Sequence, residues 1–123
     1  MLIDKKLIKD IKINVARSLS EDIGDGDITA QLIPKNVVSD ALVVTREKAI
    51  LCGQAWFDEV FNQLDQRVTV KWLVQDGARL EPDQHICTLN GPARSLLTGE
   101  RVALNFLQTL SGTATTAREY ATL

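Results

Sequence analysis

The stretch Glu100 to Tyr120, ERVALNFLQTLSGTATTAREY, holds the residue best suited to ligand chemistry. On a helix, Thr98, Arg101, Asn105 and Gln108 are separated by three, four and three residues, so they form one narrow polar stripe. Leu97 and Leu104 flank the arginine, and Leu96, Ala103, Leu107 and Leu110 form a packing face. A guanidinium in that setting is expected to be partly shielded from water, where it needs a counter-charge. Glu100 is adjacent in sequence, points about 100° away and is a poor partner. The stripe itself contains no carboxylate. Two roles fit. Arg101 caps carbonyls or pairs with an acid from elsewhere in the fold, or it grips a planar carboxylate or a phosphate of a ligand in bidentate fashion.

Other groups are weaker candidates. Glu21, Asp22, Asp25 and Asp27 fall within seven residues, a composition that suits Mg²⁺ or Ca²⁺. The spacing lacks the terminal glutamate of an EF-hand loop. A structural role is expected instead, with Gly24 and Gly26 supplying unusual backbone angles and Asp27 or Thr29 capping the next turn. His85, the only histidine, is expected to share a strand face with Cys87, but two ligands do not make a zinc site. No serine has a matching base, and there is no Gly-rich phosphate loop and no CxxC pair. The chain alone carries no complete catalytic set.

The elements that must hold Arg101 can be read from periodicity. Leu7, Ile8, Ile11, Val15 and Leu19 make one apolar face of a helix over 4–19. SEDIGDGDITAQLIP reads as an ordered turn. Residues 37–45 are rich in β-branched types and form a strand, which REK turns into a second strand, AILCG. QAWFDEVFNQLD is helical. RVTVKWLV alternates as a half-buried strand. Turns at Asp76-Gly77 and Glu81-Pro82-Asp83 precede a strand through Ile86 to Leu89. Pro92 opens a long helix, which Ser111-Gly112 is expected to loosen. This order predicts an α+β fold.

The 123 residues suffice for one modest core. A net charge of −2 argues against a nucleic-acid surface. No apolar run approaches the roughly 20 residues that span a bilayer, and MLIDKKLIKDIK lacks the apolar block of a signal peptide. A cytoplasmic protein with Cys52 and Cys87 reduced is expected. The chain stops at REYATL within a helical pattern and without a cap, so a piece of a longer protein is expected.

EDIGDGDIT, followed by GPARSLLTGERVALNFLQTLSGTATTAREY, resembles the quinolinate phosphoribosyltransferase family, the carboxylating nicotinate-nucleotide pyrophosphorylases. The family patterns run ED-x-G-x-GD-x-T and G-x-x-x-x-LL-x-x-ER-x-x-LN-x-x-x-x-x-SG-x-AT, and every fixed letter is present. The resemblance implies synthesis of nicotinate mononucleotide, pyrophosphate and CO₂ from quinolinate and phosphoribosyl pyrophosphate, with Mg²⁺ required. It implies a sandwich or hammerhead-like N-terminal domain over 1–110, and the start of an α/β barrel over 111–123. It further implies a homodimer or larger homo-oligomer in which Arg101 reaches a carboxylate of quinolinate in the partner's site. Asn105, Gln108, Ser111 and Gly112 are candidate supporting residues, with Thr115 beside them. The remaining cations and the Mg²⁺-holding acids would follow this segment, so the fragment alone is expected to be inactive. Alternatives are a related pyrophosphorylase of the same layout (the molybdenum-transport-associated relative or nicotinate phosphoribosyltransferase) or a biotinyl or lipoyl carrier module. The hairpin tips lack the lysine a carrier needs.

Overall fold

The computed structural model describes residues 5–24 and 28–121. In chain order they form α1 (Lys5–Gly24), α2 (Ile28–Gln31), β1 (Val38–Val44), β2 (Ala49–Ile50), α3 (Gln54–Leu64), β3 (Thr69–Trp72), β4 (Arg79–Leu80), β5 (His85–Pro92) and α4 (Ala93–Ala121). This is the expected α+β arrangement. β5 lies at the centre of a three-stranded antiparallel sheet, between β1 and β3, and β2 pairs with β4 in a second small sheet.

The core lies where α1, α3 and α4 meet the sheets. α1 contributes Ile11, Val15 and Leu19, at helical spacing. Leu7 and Ile8, expected on the same face, are exposed one turn earlier, before the helix reaches its neighbours. α3 buries Phe57, Val60 and Phe61. The Phe57 ring meets Trp72 of β3 edge-on at 5.1 Å, and the Trp72 indole N–H donates to Asp58 Oδ1 at 2.9 Å. α4 buries Leu96, Val102, Ala103 and Leu107.

Gly53 opens α3 at φ 112°, a left-handed angle that glycine adopts without a Cβ clash. Asp76 of the following turn accepts the Gln54 N–H at 3.2 Å and satisfies one free donor of the helix start. Gly99 marks the crossing of α3 and α4. A Cβ there would lie 2.5 Å from Phe61 Cε1 and 2.9 Å from Leu64 Cδ2.

Four local expectations are corrected. REK does not close a hairpin, because β1 pairs with β5 while β2 pairs with β4. Thr45, just before REK, instead bonds its backbone to Asp83 and Gln84. His85 and Cys87 do not share a face. Val43 pairs with Cys87 and Val44 with His85, so Ile86 is a bulged extra residue. His85 is therefore exposed while Ile86 and Cys87 are both buried. The acidic segment is partly helical, since α1 continues through Asp22 to Gly24. Asp25, Gly26 and Asp27 lie outside the described residues, and Thr29 falls within α2. Finally, α4 runs unbroken through Ser111 and Gly112, so the expected loosening of the helix there is absent. One exposed glycine costs a helix about 1 kcal/mol relative to alanine, too little to interrupt 29 packed residues.

Candidate functional site

The last turns of α1 and the middle of α4 enclose an open groove of about 630 Å³. Ser18, Glu21 and Asp22 line it from α1, and Arg101, Asn105 and Gln108 from α4. The packing of α4 sets this geometry. Val102, Ala103 and Leu107 turn into the core, which leaves Arg101, Asn105 and Gln108 on the outer side. The stripe expected from sequence exists.

Its degree of burial was misjudged. The Arg101 side chain is 78% exposed, not shielded. Its flanking leucines do not cover it, and Leu97 is itself exposed. The guanidinium also has an acid: Nη1 donates to Asp22 Oδ1 at 3.2 Å, from a carboxylate only 22% exposed. Asp22 lies 79 residues away in sequence, so the first of the two sequence roles, an acid from elsewhere in the fold, is present. The two roles do not exclude each other. Among the described residues one nitrogen of the fork is engaged, and an exposed ion pair of this kind contributes only about 0–1 kcal/mol. Such a contact can coexist with a ligand anion or yield to one.

Asp22 is the residue that sequence reasoning missed as part of this site. The signal was available. Ile11, Val15, Leu19 and Asp22 continue one helical stripe at steps of four, four and three. The carboxylate therefore lies on the inward side of α1, in the turn after Leu19.

The candidate supporting residues divide. Asn105 and Gln108 line the groove, but Asp22 rather than either of them holds the guanidinium. Ser111 is committed elsewhere. Its Oγ accepts the Cys52 N–H at 3.0 Å and donates to the Cys52 carbonyl at 3.1 Å. Thr115 Oγ1 accepts the Ile50 N–H at 2.9 Å and donates to the Ser111 carbonyl at 2.6 Å. Ser111, Gly112 and Thr115 border a second groove of about 550 Å³ between α4 and the 43–51 segment. They position α4 and do not reach Arg101's groove.

Among the described residues, no three His, Cys, Asp or Glu side chains converge as a metal site. Among the described residues the groove offers two carboxylates, Glu21 and Asp22, of which Asp22 is paired with Arg101. Both cysteines are free thiols. Burial, with a smaller contribution from Asp58, pushes the Cys87 thiol up to about 12, and burial and Asp76 raise Cys52. Neither suits nucleophilic chemistry. No described helix is long and apolar enough to cross a membrane.

Comparison with known proteins agrees with this architecture. Residues 27–111 match the family described as quinolinate phosphoribosyl transferase, N-terminal domain. The chain is 43% identical over 99 residues to a probable carboxylating nicotinate-nucleotide pyrophosphorylase of Bacillus subtilis, covering 80% of this chain and 34% of that protein. It is 36% identical over 114 residues to a mitochondrial decarboxylating quinolinate phosphoribosyltransferase of Nicotiana tabacum, covering 91% of this chain and 32% of that one. The solved nicotinate-nucleotide pyrophosphorylase of Francisella tularensis superposes with a TM-score of 0.84 at 46% identity, over 88% of this chain and 39% of that one. The chain thus spans about a third of the length of the curated relatives it matches. With the profile covering more than half of its residues and the fold matching throughout, the chain belongs to the quinolinate phosphoribosyl transferase family, as an N-terminal domain.

Proposed function

We propose that the chain is the substrate-covering part of an enzyme that makes nicotinate mononucleotide, pyrophosphate and CO₂ from quinolinate and phosphoribosyl pyrophosphate, for NAD biosynthesis in the cytoplasm. Arg101 supplies a carboxylate contact to the site of a second subunit in a homodimer or larger assembly. The observation that carries this reading is an exposed guanidinium on a groove wall that, among the described residues, engages one nitrogen. Quinolinate is a planar dianion, and an arginine fork matches a carboxylate in geometry and charge. One arginine cannot balance two substrates that are both anionic, so further cations must come from residues beyond this segment. On this reading Mg²⁺ travels with the pyrophosphate-bearing substrate and is held by residues outside this chain.

The test uses the full-length protein. Arg101→Ala should lower kcat/KM for quinolinate about tenfold to a hundredfold, the range of a charged hydrogen bond. KM for phosphoribosyl pyrophosphate should stay near wild type. An unchanged quinolinate kcat/KM would remove Arg101 from the site. The 123-residue chain alone should form no nicotinate mononucleotide, and product from it would refute the division of labour.

A further inference from the structure

We propose that Asp22 is a positioning residue for Arg101, holding the guanidinium by Nη1 so that the Nε/Nη2 edge is presented to a substrate carboxylate. The inference rests on the reading of Arg101 as that carboxylate's partner. Three observations carry it.

The first is the geometry of the pair. Arg101 donates a single nitrogen, Nη1, to Asp22. Arginine binds a carboxylate side-on through Nε and Nη2, and no described residue takes that edge. This protein contains the side-on form elsewhere. Arg67 grips Asp65 through Nε at 2.9 Å and Nη2 at 2.9 Å, one bond to each oxygen. Asp22 thus occupies the one terminal nitrogen that the side-on mode does not need.

The second is the unequal burial of the partners. Asp22 is 22% exposed and sits on the helix stripe that runs down to Leu19 and Val15, so its carboxylate has a fixed origin. Arg101 is 78% exposed and carries a long side chain with several rotatable bonds. A fixed anion beside a mobile cation restricts the cation. The rotamer freedom otherwise lost on ligand binding is then already lost in the free protein.

The third concerns charge. Glu21 and Asp22 both line the groove beside Arg101, so the three formal charges sum to −1. On Coulomb grounds alone, removing the Asp22 charge should strengthen binding of a dianion. If Asp22 acts by positioning, its removal should weaken binding. The two accounts predict opposite signs.

The experiment measures quinolinate KM, kcat and melting temperature for full-length wild type, Asp22→Asn, Asp22→Glu, Arg101→Ala and the Asp22→Asn/Arg101→Ala double variant. Positioning predicts that Asp22→Asn raises quinolinate KM about three- to tenfold with kcat within about twofold. Asp22→Glu, which keeps the charge, should recover most of the loss. In the Arg101→Ala background Asp22→Asn should change nothing further, because the effect passes through the guanidinium. A KM that falls or stays level in Asp22→Asn, while Arg101→Ala raises it, overturns the proposal and leaves the function intact. So do additive effects in the double variant. An Arg101→Ala enzyme with wild-type KM removes both readings. A lowered melting temperature in Asp22→Asn does not blur the outcome, since a loss from general destabilisation reappears in the Arg101→Ala background whereas a loss through the guanidinium does not.

Discussion

Asp65 receives hydrogen bonds from three sides. Arg67 donates its backbone N–H, Nε and Nη2, and Ser95 Oγ approaches Asp65 Oδ2 at 2.5 Å from the start of α4. The Arg67 side chain, foremost, and then Ser95 hold the Asp65 carboxyl at about 2, below its ordinary 3.8. A carboxyl depressed by folding adds stability above the unfolded pKa and loses it as pH falls through the folded value. The melting temperature should therefore drop between about pH 4 and pH 2. Asp65→Asn should lower the plateau at neutral pH and flatten that part of the profile, as followed by circular dichroism. An unchanged profile would deny Asp65 this role. The comparison with Arg101 also shows what was legible at this scale. Asp65 and Arg67 are two residues apart, and their pairing is a local matter. Arg101 and Asp22 are brought together only by the packing of α1 on α4. Residue types and helical spacing exposed the stripe, while the carboxylate that meets it came from the far end of the chain.

At the level of elements, periodicity located α1, α3 and α4 because each buries one face, while the four-residue α2 fell in a segment read as a turn. Phe57, Val60 and Phe61 on α3, and Ile11, Val15 and Leu19 on α1, are the apolar positions the sequence marks. Strand pairing was less legible. A two-residue strand such as β2 carries too few side chains to name its partner, and the bulge at Ile86 reverses the alternation that placed His85 with Cys87. The crossing of α3 and α4 depends on a residue with no side chain to read. Gly99→Ala places a methyl group 2.5 Å from Phe61 Cε1. Overpacking of this kind costs about 1–3 kcal/mol, against a helix-propensity gain of about 1 kcal/mol. Net destabilisation is expected on urea unfolding. Gly112→Ala is the control, because its added Cβ meets nothing within 4 Å. It should be neutral or stabilising by up to about 1 kcal/mol. Equal effects at both glycines would show that close packing at Gly99 is not what decides the outcome.

Across the whole molecule, α4 is the spine. It touches α1, α2 and α3 and packs against β1, β2 and β5. Its later part is bound by hydroxyls to the 50–52 segment, which also bonds the turn before β4, Leu51 N–H to the Ala78 carbonyl and Gly77 N–H to the Leu51 carbonyl. Ser111→Ala removes the partner of both Cys52 backbone groups. Each polar group left unmet indoors costs about 1–3 kcal/mol. Hydrogen exchange at the Cys52 amide should quicken in that variant, and exchange at Ile50 in Thr115→Val. Unaltered protection at both amides would mean that the hydroxyls are incidental.

The spacing of those hydroxyls has a further result. Two residues along a strand advance about 6.7 Å, and four along a helix about 6 Å, so Ser111 and Thr115 match the alternate amides of Ile50 and Cys52 as a ruler matches its scale. A slide of α4 by a single residue would take both out of step together. Arg101 stands ten residues earlier on the same rod, roughly 15 Å along its axis. Its axial coordinate is thereby indexed to the small sheet. On the function proposed above, the reach of that guanidinium towards a substrate anion is gauged by two side chains that border a different groove.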